Sequence, residues 1–320
     1  MKKDINILFL GGGKRVSLAE HLIKAGKERG VQVNIFSYEL SREVPIASVG
    51  EVIVGRKWHD VSIYKHLPDI IRQKNIHILL PFVDPATEVA GCLEVLVPEV
   101  FIPCSSPDLC RIMCDKQQAD EWFRFEDFPI PKSYSEEKKE DIVFPVILKP
   151  FDGSASKGIK VVHDLKSLEE TPALDTYLIQ EYIAENEEYT VDCYVSRSRE
   201  IISIVPRIRL EVAGGEVMSS RTLRDDVLIQ LSAKILASDD FRGPVTIQFI
   251  RNKKDGATYV MEINPRLGGG VIASIEAGAD IPAFILAESE GESLKPITDW
   301  KENTLMTRYF KEVIFYADNH

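Results

Sequence analysis

The stretch YVMEINPRLGGG (259–270) begins as a short apolar strand pattern, then sets Glu262, Asn264 and Arg266 at alternate positions before three glycines. Side chains alternate across a strand, so Glu262 and Asn264 share a face about 7 Å apart. A hairpin turning through NKKDGAT and centred on Asp255 would place Gln248 of the preceding strand opposite Glu262. One carboxylate and two amide carbonyl oxygens on one face suit magnesium, which keeps waters and phosphate oxygens as its other ligands. Arg266 is then placed to stabilise a phosphoryl group in transit. Gly268, Gly269 and Gly270 would let a substrate approach the backbone closely. A polar, solvent-facing hairpin is the bland alternative; the strong apolar alternation, Pro265 and the three glycines weigh against it.

Further stretches carry compatible chemistry. FPVILKPFDGSASKGIKVV (144–162) reads as a strand ending in Lys149, a loop with Gly153, Ser154, Ser156 and Gly158, and a second strand from Ile159. Such a loop can lay backbone N–H groups and an ammonium over a polyphosphate. It is not a strand–GxxxxGK[ST]–helix loop, because the lysine precedes the glycines and a strand follows. An ordinary Gly-rich hairpin is the competing reading. LIQEYIAENEEYTVD (178–192) could line an adenine slot with backbone groups near Tyr182–Ala184 and offer Glu188 to ribose hydroxyls, although alone it reads as an acidic linker. VPRIRLEVAGGEVMSSRTLRDD (205–226) supplies Arg207, Arg209 and Arg221 as clamps for a carboxylate or acyl phosphate. A solvated edge with paired charges is the alternative there, and Arg207 and Arg209, on one strand face, stand or fall together. Arg308 in LMTRYFKEV could return to this site from the last strand.

The elements that must position these residues follow from periodicity. Residues 5–10 form a continuous apolar strand, Gly11–Gly13 turn the chain, and a helix runs from about Arg15 to Arg29. Strands at 31–38, 51–55 and 76–84, with a helix around 62–74, complete an alternation that argues a parallel, doubly wound sheet. Ligands gather at the carboxyl ends of such strands, which marks Gly11–Arg15, Glu39 and Asp84. LGGGKRV is only a partial dinucleotide fingerprint, since Val16 stands where a third glycine should be, and a tight turn explains the glycines. From residue 105, SSPDLCRIMCDKQQADEWF reads as one helix with Ser106 as N-cap and Pro107 at N1. Strands at 176–183, 188–196 and 200–212, a helix around 225–237 and the hairpin follow.

Composition bounds the rest. The 320 residues, 44% hydrophobic and 28% charged, suit two or three domains. A net charge of −11 argues against a broad nucleic-acid or membrane surface. The opening MKKDINILFLGGG is too short for a signal peptide and lacks its cleavage pattern, so it reads as a buried strand. No stretch approaches a membrane span. Five cysteines, mostly in apolar segments, suit a reducing cytoplasm. Cys110 and Cys114 share a helix face without further ligands at a familiar spacing, and the six histidines are scattered, so zinc is not indicated.

Taken in order, these motifs resemble the ATP-grasp superfamily of carboxylate–amine ligases over nearly the whole chain. Gln248 with Glu262, Asn264, Pro265 and Arg266 is similar to the Gln…Glu-x-Asn-Pro-Arg arrangement of the carbamoyl-phosphate-synthase-like branch, of which the pyrrolysine-biosynthesis ligase is a relative. The resemblance implies mixed α/β and α+β architecture: a Rossmann-like pre-ATP-grasp domain (1–104), a small lobe with its preceding helix (105–184), and a C-terminal lobe (185–320). It implies ATP with two magnesium ions as cofactors. Lys116 and Lys149 resemble the nucleotide-phosphate lysines, Glu181, Tyr182 and Ile183 the adenine hinge, Glu188 the ribose carboxylate, and Gln248, Glu262 and Asn264 the metal ligands. Ala155 departs from the family, standing where glycine is common.

The implied reaction has two steps. A carboxylate attacks the γ-phosphate, giving an acyl phosphate and ADP; an amine then displaces phosphate to leave an amide. Positioning and electrostatics suffice, and no G-x-S-x-G nucleophile elbow is present. Small-molecule acid and amine partners are expected, homodimerisation is common among relatives, and neither nucleic acid nor membrane is implied. Phosphorylation of bicarbonate or carbamate, and an ATP-binding regulator without turnover, are the rival readings.

Overall fold

A computed structural model describes residues 4–153 and 157–316. Strands β1 (Asp4–Leu10), β2 (Gln32–Glu39), β3 (Glu51–Val54) and β4 (Ile78–Pro81) form a parallel sheet in the order β3-β2-β1-β4. β1 is interior to that sheet and covered on both faces, which explains its unbroken apolar run. Helices α1 (Val16–Glu28), α2 (Ile63–Gln73) and α3 (Asp84–Leu96) cover the sheet. The fourth strand stops at Pro81, short of the expected 84, because Asp84 already belongs to the first turn of α3 and Pro85 follows it there.

The single helix expected from residue 106 is two. Ser106 caps α4 (Pro107–Cys114) as expected, its hydroxyl accepting the Leu109 N–H at 3.3 Å. Asp115 then turns extended and accepts the N–H groups of Gln117 and Gln118, both at 2.9 Å, opening α5 (Lys116–Phe125). A carboxylate that satisfies two orphan amides makes a new N-terminus preferable to continuation.

β5 (Ser133–Tyr134), β6 (Val146–Pro150), β7 (Lys160–Val162) and β8 (Tyr177–Glu181) make a second, antiparallel sheet ordered β5-β8-β6-β7, with α6 (Leu165–Glu169) between β7 and β8. The third sheet joins β9 (Asn186–Val195), β10 (Ile201–Ala213), β11 (Glu216–Thr222), β12 (Gly243–Asn252), β13 (Thr258–Asn264) and β14 (Leu305–Thr307) in the order β13-β12-β9-β10-β11-β14. One face of this sheet carries Tyr189, Val191, Cys193, Ile247, Phe249 and Ile263 into a core with α4, α5 and α7 (Asp226–Ser238). The other carries Glu188, Asp192, Arg207, Arg209, Gln248, Glu262 and Asn264.

A further core joins the first sheet to the C-terminal half. Ile7, Phe9 and Leu22 pack in one cluster with Leu267, with Val271, and with residues of α8 (Ile272–Glu276) and α9 (Ile281–Ser289). The carboxyl ends of β1 and β4 are thereby held beside the segment that follows β13. All five cysteines are unpaired, with Cys104 and Cys110 sulfurs 3.7 Å apart. Among the described residues no helix is long and apolar enough to cross a membrane.

Gly243 marks where these bodies meet. It has φ +68°, and a Cβ there would lie 2.0 Å from the Pro103 carbonyl oxygen. Gly243→Ala should therefore lower unfolding stability by at least about 2 kcal/mol through backbone strain plus overlap. Urea denaturation monitored by far-UV circular dichroism measures it; a change within about 0.5 kcal/mol would contradict this account of the junction.

Candidate active site

The hairpin forms in the expected register, with Gln248 directly opposite Glu262, and a bulge follows so that Phe249 faces Val260. The amide of Asn264 donates to Glu262 Oε1 at 2.7 Å, and Arg266 Nη2 donates to Asn264 Oδ1 at 2.8 Å. Arg266 Nε donates to Asp84 Oδ1 at 2.6 Å. The strand-end carboxylate of the first sheet thus fixes the arginine that follows the hairpin. The donor set fits magnesium: one carboxylate and two amide oxygens supply oxygen ligands and leave room for phosphate oxygens. Among the described residues no three His, Cys, Asp or Glu side chains gather as a metal cluster.

The three arginines expected as substrate clamps separate. Arg207 is 2% exposed, its Nε donating to Asp192 Oδ2 at 2.8 Å, and Ser274 donates to the same oxygen at 2.6 Å. It lies beneath the site. Arg209, two residues on, reaches the site: its Nη1 donates to Glu188 at 2.7 Å and to Gln248 Oε1 at 3.3 Å. Arg221 pairs with Ile208 across β10 and β11, so it lies on the sheet's other face, exposed, and does not join the cluster. Alternation separates it from Arg207 and Arg209.

The glycines serve the protein first. A Cβ at Gly268 would come within 2.8 Å of Thr246 Oγ1, and one at Gly270 within 2.6 Å of Arg207 Nη1. These two clear space for the chain's own side chains. At Gly269 a Cβ would lie 3.3 Å from both Arg15 Nη1 and Arg308 Nη2. Arg308 Nη2 donates to the Gly269 carbonyl, and its Nη1 donates to Glu216 Oε2 at 3.0 Å. Glu39, another strand-end residue, stays with its own loop. It accepts from Ser37 at 2.6 Å and from the amides of Gly12 and Gly13, and burial raises its pKa.

Lys149 lines a cleft together with Lys116, Gln180 and Glu262. It is 6% exposed and donates to Gln180 Oε1 at 2.7 Å. Burial lowers its pKa to about 8, against the opposing pull of Glu262 and Asp120. Gln180 Nε2 in turn donates to the buried Asp120 at 2.8 Å, as does Ser133 Oγ at 2.5 Å. Asp120 and Gln180 were not foreseen; Gln180 directly precedes Glu181 and Asp120 lies one helical turn after Lys116, but their pairing required the packing of α5 against β8. Lys116 Nζ donates to the Gly153 carbonyl at 2.7 Å, and its N–H to Phe151 O at 3.0 Å, which ties α5 to the Gly/Ser loop. Gly153 (φ +116°) and Gly158 (φ +75°) flank that loop. Ser154, Ala155 and Ser156 lie outside the described residues.

At the end of β8 the Glu181 N–H donates to Lys132 O at 2.8 Å and the Tyr182 N–H to Pro145 O at 3.2 Å, so both amides are engaged within the lobe. Ile183 is buried, and its carbonyl accepts from Asn186 Nδ2 at 2.7 Å. Glu188 reaches Arg209 from the polar face of the third sheet.

A parallel α/β sheet, a small antiparallel lobe and a two-faced antiparallel sheet, with a lysine-lined cleft between the last two, define an ATP-grasp architecture. Comparison with known proteins agrees. The family described as "ATP-grasp in the biosynthetic pathway with Ter operon" matches residues 173–311. Biotin carboxylase from Campylobacter jejuni superposes with a TM-score of 0.74 at 19% identity, over 94% of this chain and 74% of that one. N5-carboxyaminoimidazole synthetase from Staphylococcus aureus gives 0.72 at 18% identity, over 96% and 83%. In sequence the chain is 24% identical to mouse mitochondrial pyruvate carboxylase over 90% of its own length, but spans only 27% of that enzyme. It is 23% identical to D-alanine–D-alanine ligase of Bacillus anthracis, over 59% of this chain and 69% of that one. The chain has the ATP-grasp fold and contains a single ATP-grasp unit.

The two neighbouring arginines of β10 make a direct test of burial. Arg207→Ala leaves Asp192 buried without its cation and should cost about 3–5 kcal/mol. Arg209→Ala breaks a pair whose carboxylate is half exposed and should cost about 1 kcal/mol or less. Chemical denaturation of both variants measures the difference, and equal losses would refute this division of roles.

Proposed function

We propose that this chain is an ATP-dependent carboxylate–amine ligase that forms an amide through an acyl phosphate. The observation that carries the reading is the oxygen-donor face of Gln248, Glu262 and Asn264, continuous with Arg266 and sharing a cleft with the buried ammonium of Lys149. Such a cleft suits a polyphosphate whose terminal phosphoryl group is to be transferred. Lys149 and Lys116 hold the phosphate chain beneath the Gly153–Gly158 loop, and the Ile183 N–H is the hinge amide left to read adenine. Glu188 takes the ribose hydroxyls, Arg209 keeping it in place.

Magnesium, held by Glu262, Asn264 and Gln248, would offset charge on the phosphates. The two ions implied by the resemblance would require Glu262, the one acid of the three, to serve both. Arg266, anchored by Asp84 and Asn264, stabilises the transferring group. The acid's oxygen bonds to the γ-phosphorus as the bond to ADP breaks; the amine nitrogen then bonds to the acyl carbon, losing a proton as phosphate departs. In this reading the divisions 1–104, 105–184 and 185–320 act as substrate domain, nucleotide lobe and metal lobe of a cytoplasmic enzyme acting on small molecules, without nucleic acid or membrane.

A bicarbonate-phosphorylating activity is the second reading. It is favoured by the fold neighbour from Hydrogenobacter thermophilus, a biotin carboxylase domain dimer seen with MgADP and bicarbonate (TM-score 0.73, 18% identity, 94% of this chain and 73% of that one). ADP and phosphate release from MgATP separates the readings. A carboxylic acid that releases ADP only with an amine supports the ligase, bicarbonate alone supports the second, and binding without turnover in any acid or amine pool supports a regulator.

Two outcomes are expected of the ligase. Glu262→Ala should lower ATP-dependent turnover by about 10²–10³-fold with an unchanged circular dichroism spectrum; wild-type turnover in that variant would exclude the metal assignment. Lys149 should bind phosphate as the ammonium, whose pKa of about 8 lies below the ordinary lysine value. ATP affinity in the wild type should therefore fall, by up to about tenfold per pH unit, as pH rises through and above 8. In Lys149→Met that step should vanish. Calorimetric titration between pH 7 and 9.5 tests the sign, and affinity that rises with pH would overturn it.

A further inference from the structure

Three guanidinium groups converge where the first domain meets the segment after β13, and they are not equally satisfied. Arg266 is engaged by Asp84 and Asn264. Arg308 is engaged by Glu216 and the Gly269 carbonyl. Arg15, the residue before α1, makes no side-chain hydrogen bond and no ion pair within 4 Å among the described residues, yet its Nη1 and Arg308 Nη2 lie equally close to a Cβ built on Gly269. Three cations therefore face two carboxylates, and Lys14, 3.7 Å from Glu216, adds a fourth. Burial first, and then the Arg266 and Arg308 charges, press the Arg15 pKa down to about 10, against the weaker opposing pull of Glu216 and Asp84. Within α1 itself, no acid occupies the first turn and no side chain caps it.

The excess positive charge is also displaced from the chemistry. Arg266 is joined through Asn264 to Glu262, so a reacting carboxylate belongs beside Arg266 at the metal-ligand end. Arg15 comes from the glycine turn after β1, and Arg308 from the residue after β14; neither touches the donor face. An anion between these two guanidinium groups is a different group from the one being phosphorylated.

We propose that Arg15 and Arg308, flanking Gly269, form a pocket for a second oxyanion of the acid substrate, a carboxylate or a phosphate, so that the enzyme acts on a dianionic acid. The proposal rests on the ligase reading for the identity of the bound molecule as substrate, while the pocket can be tested without turnover. Arg15 is then a specificity residue supplied by the first domain, and the bound dianion bridges that domain to the metal lobe.

The test is calorimetric titration of the full chain with glutarate, phosphoglycolate and the monoanion valerate, each with and without saturating MgADP. Glutarate or phosphoglycolate should bind at least tenfold more tightly than valerate. That advantage should shrink to within about threefold in Arg15→Gln and in Arg308→Gln, and Arg15→Lys should retain part of it. MgADP affinity and the circular dichroism spectrum should be unchanged in Arg15→Gln, which separates loss of the pocket from loss of fold. A stronger response to glutarate identifies a carboxylate, and to phosphoglycolate a phosphate. Equal binding of mono- and dianions by the wild type overturns the proposal, as does a dianion advantage that survives both Gln variants. Failure of the wild type to bind MgADP would instead sink the ligase reading, and the titrations without nucleotide would still decide the pocket.

Discussion

Because side chains alternate along a strand, burying Tyr189, Val191 and Cys193 beneath α7 forces Glu188, Thr190 and Asp192 onto the opposite face of β9. The same parity passes through each neighbouring strand. Opposite Thr190 stand Arg207 and Gln248; opposite Gln248 stands Glu262. One hydrophobic decision, repeated across four strands, therefore assembles the polar face in which the site is built. A register slip of one residue in β13 would send Glu262 into the core and bring Ile263 to the polar face. The close fit of Thr246 to Gly268, and its hydrogen bond to the Arg266 carbonyl at 2.9 Å, pin that register at the strand's end.

Buried cations on and around this face divide into those with a bonded carboxylate and those without. Arg207 and Asp192 are both almost fully buried and bonded to each other, with Ser274 completing the carboxylate; they hold the glycine segment and present little to the cleft. Lys149 is buried with only a neutral amide oxygen within hydrogen-bonding distance, and its carboxylate neighbours act at longer range. Arg15 has carboxylates only at longer range as well. Desolvated cations without a bonded counter-charge raise the free energy of the empty protein, and a bound anion recovers that cost. Lys149 and Arg15 are desolvated cations of this kind among the described residues.

Legibility in the sequence tracked how local the determining contact is. The hairpin chemistry was readable because period-two alternation and a single turn fix Gln248, Glu262 and Asn264 together. Parity also separates Arg221 from Arg207 and Arg209, but only once the β10–β11 register is known, and the bulges around Arg209 and Glu211 obscure that register. The break between α4 and α5 had a visible signal in Asp115, a good N-cap residue, masked by helical periodicity on both sides. The contrast between a buried Arg207 and an accessible Arg209 had none, since both occupy the same face and differ only in depth. Arg15, Glu216 and Arg308 meet across some 290 positions of sequence, through packing that no local pattern encodes. Asp84 was marked by its strand-end position and Arg266 by the hairpin, but the bond between them was not.

This separation between local and long-range parts has a chemical consequence. The residues assigned to phosphoryl transfer, from Gln248 to Arg266, lie on one hairpin whose geometry the sheet core enforces. The residues facing the outer end of the site come instead from the turn after β1, the start of α3 and the segment after β14. Loops of this kind tolerate substitution far better than paired strands do. On the ligase reading, a new acid specificity could therefore arise at Arg15 or Arg308 without disturbing the oxygen donors, whereas the reverse change would have to pass through Asn264 and its bonds to both Glu262 and Arg266. In that reading, the kind of chemistry is written in the hairpin and the choice of substrate in the surrounding segments.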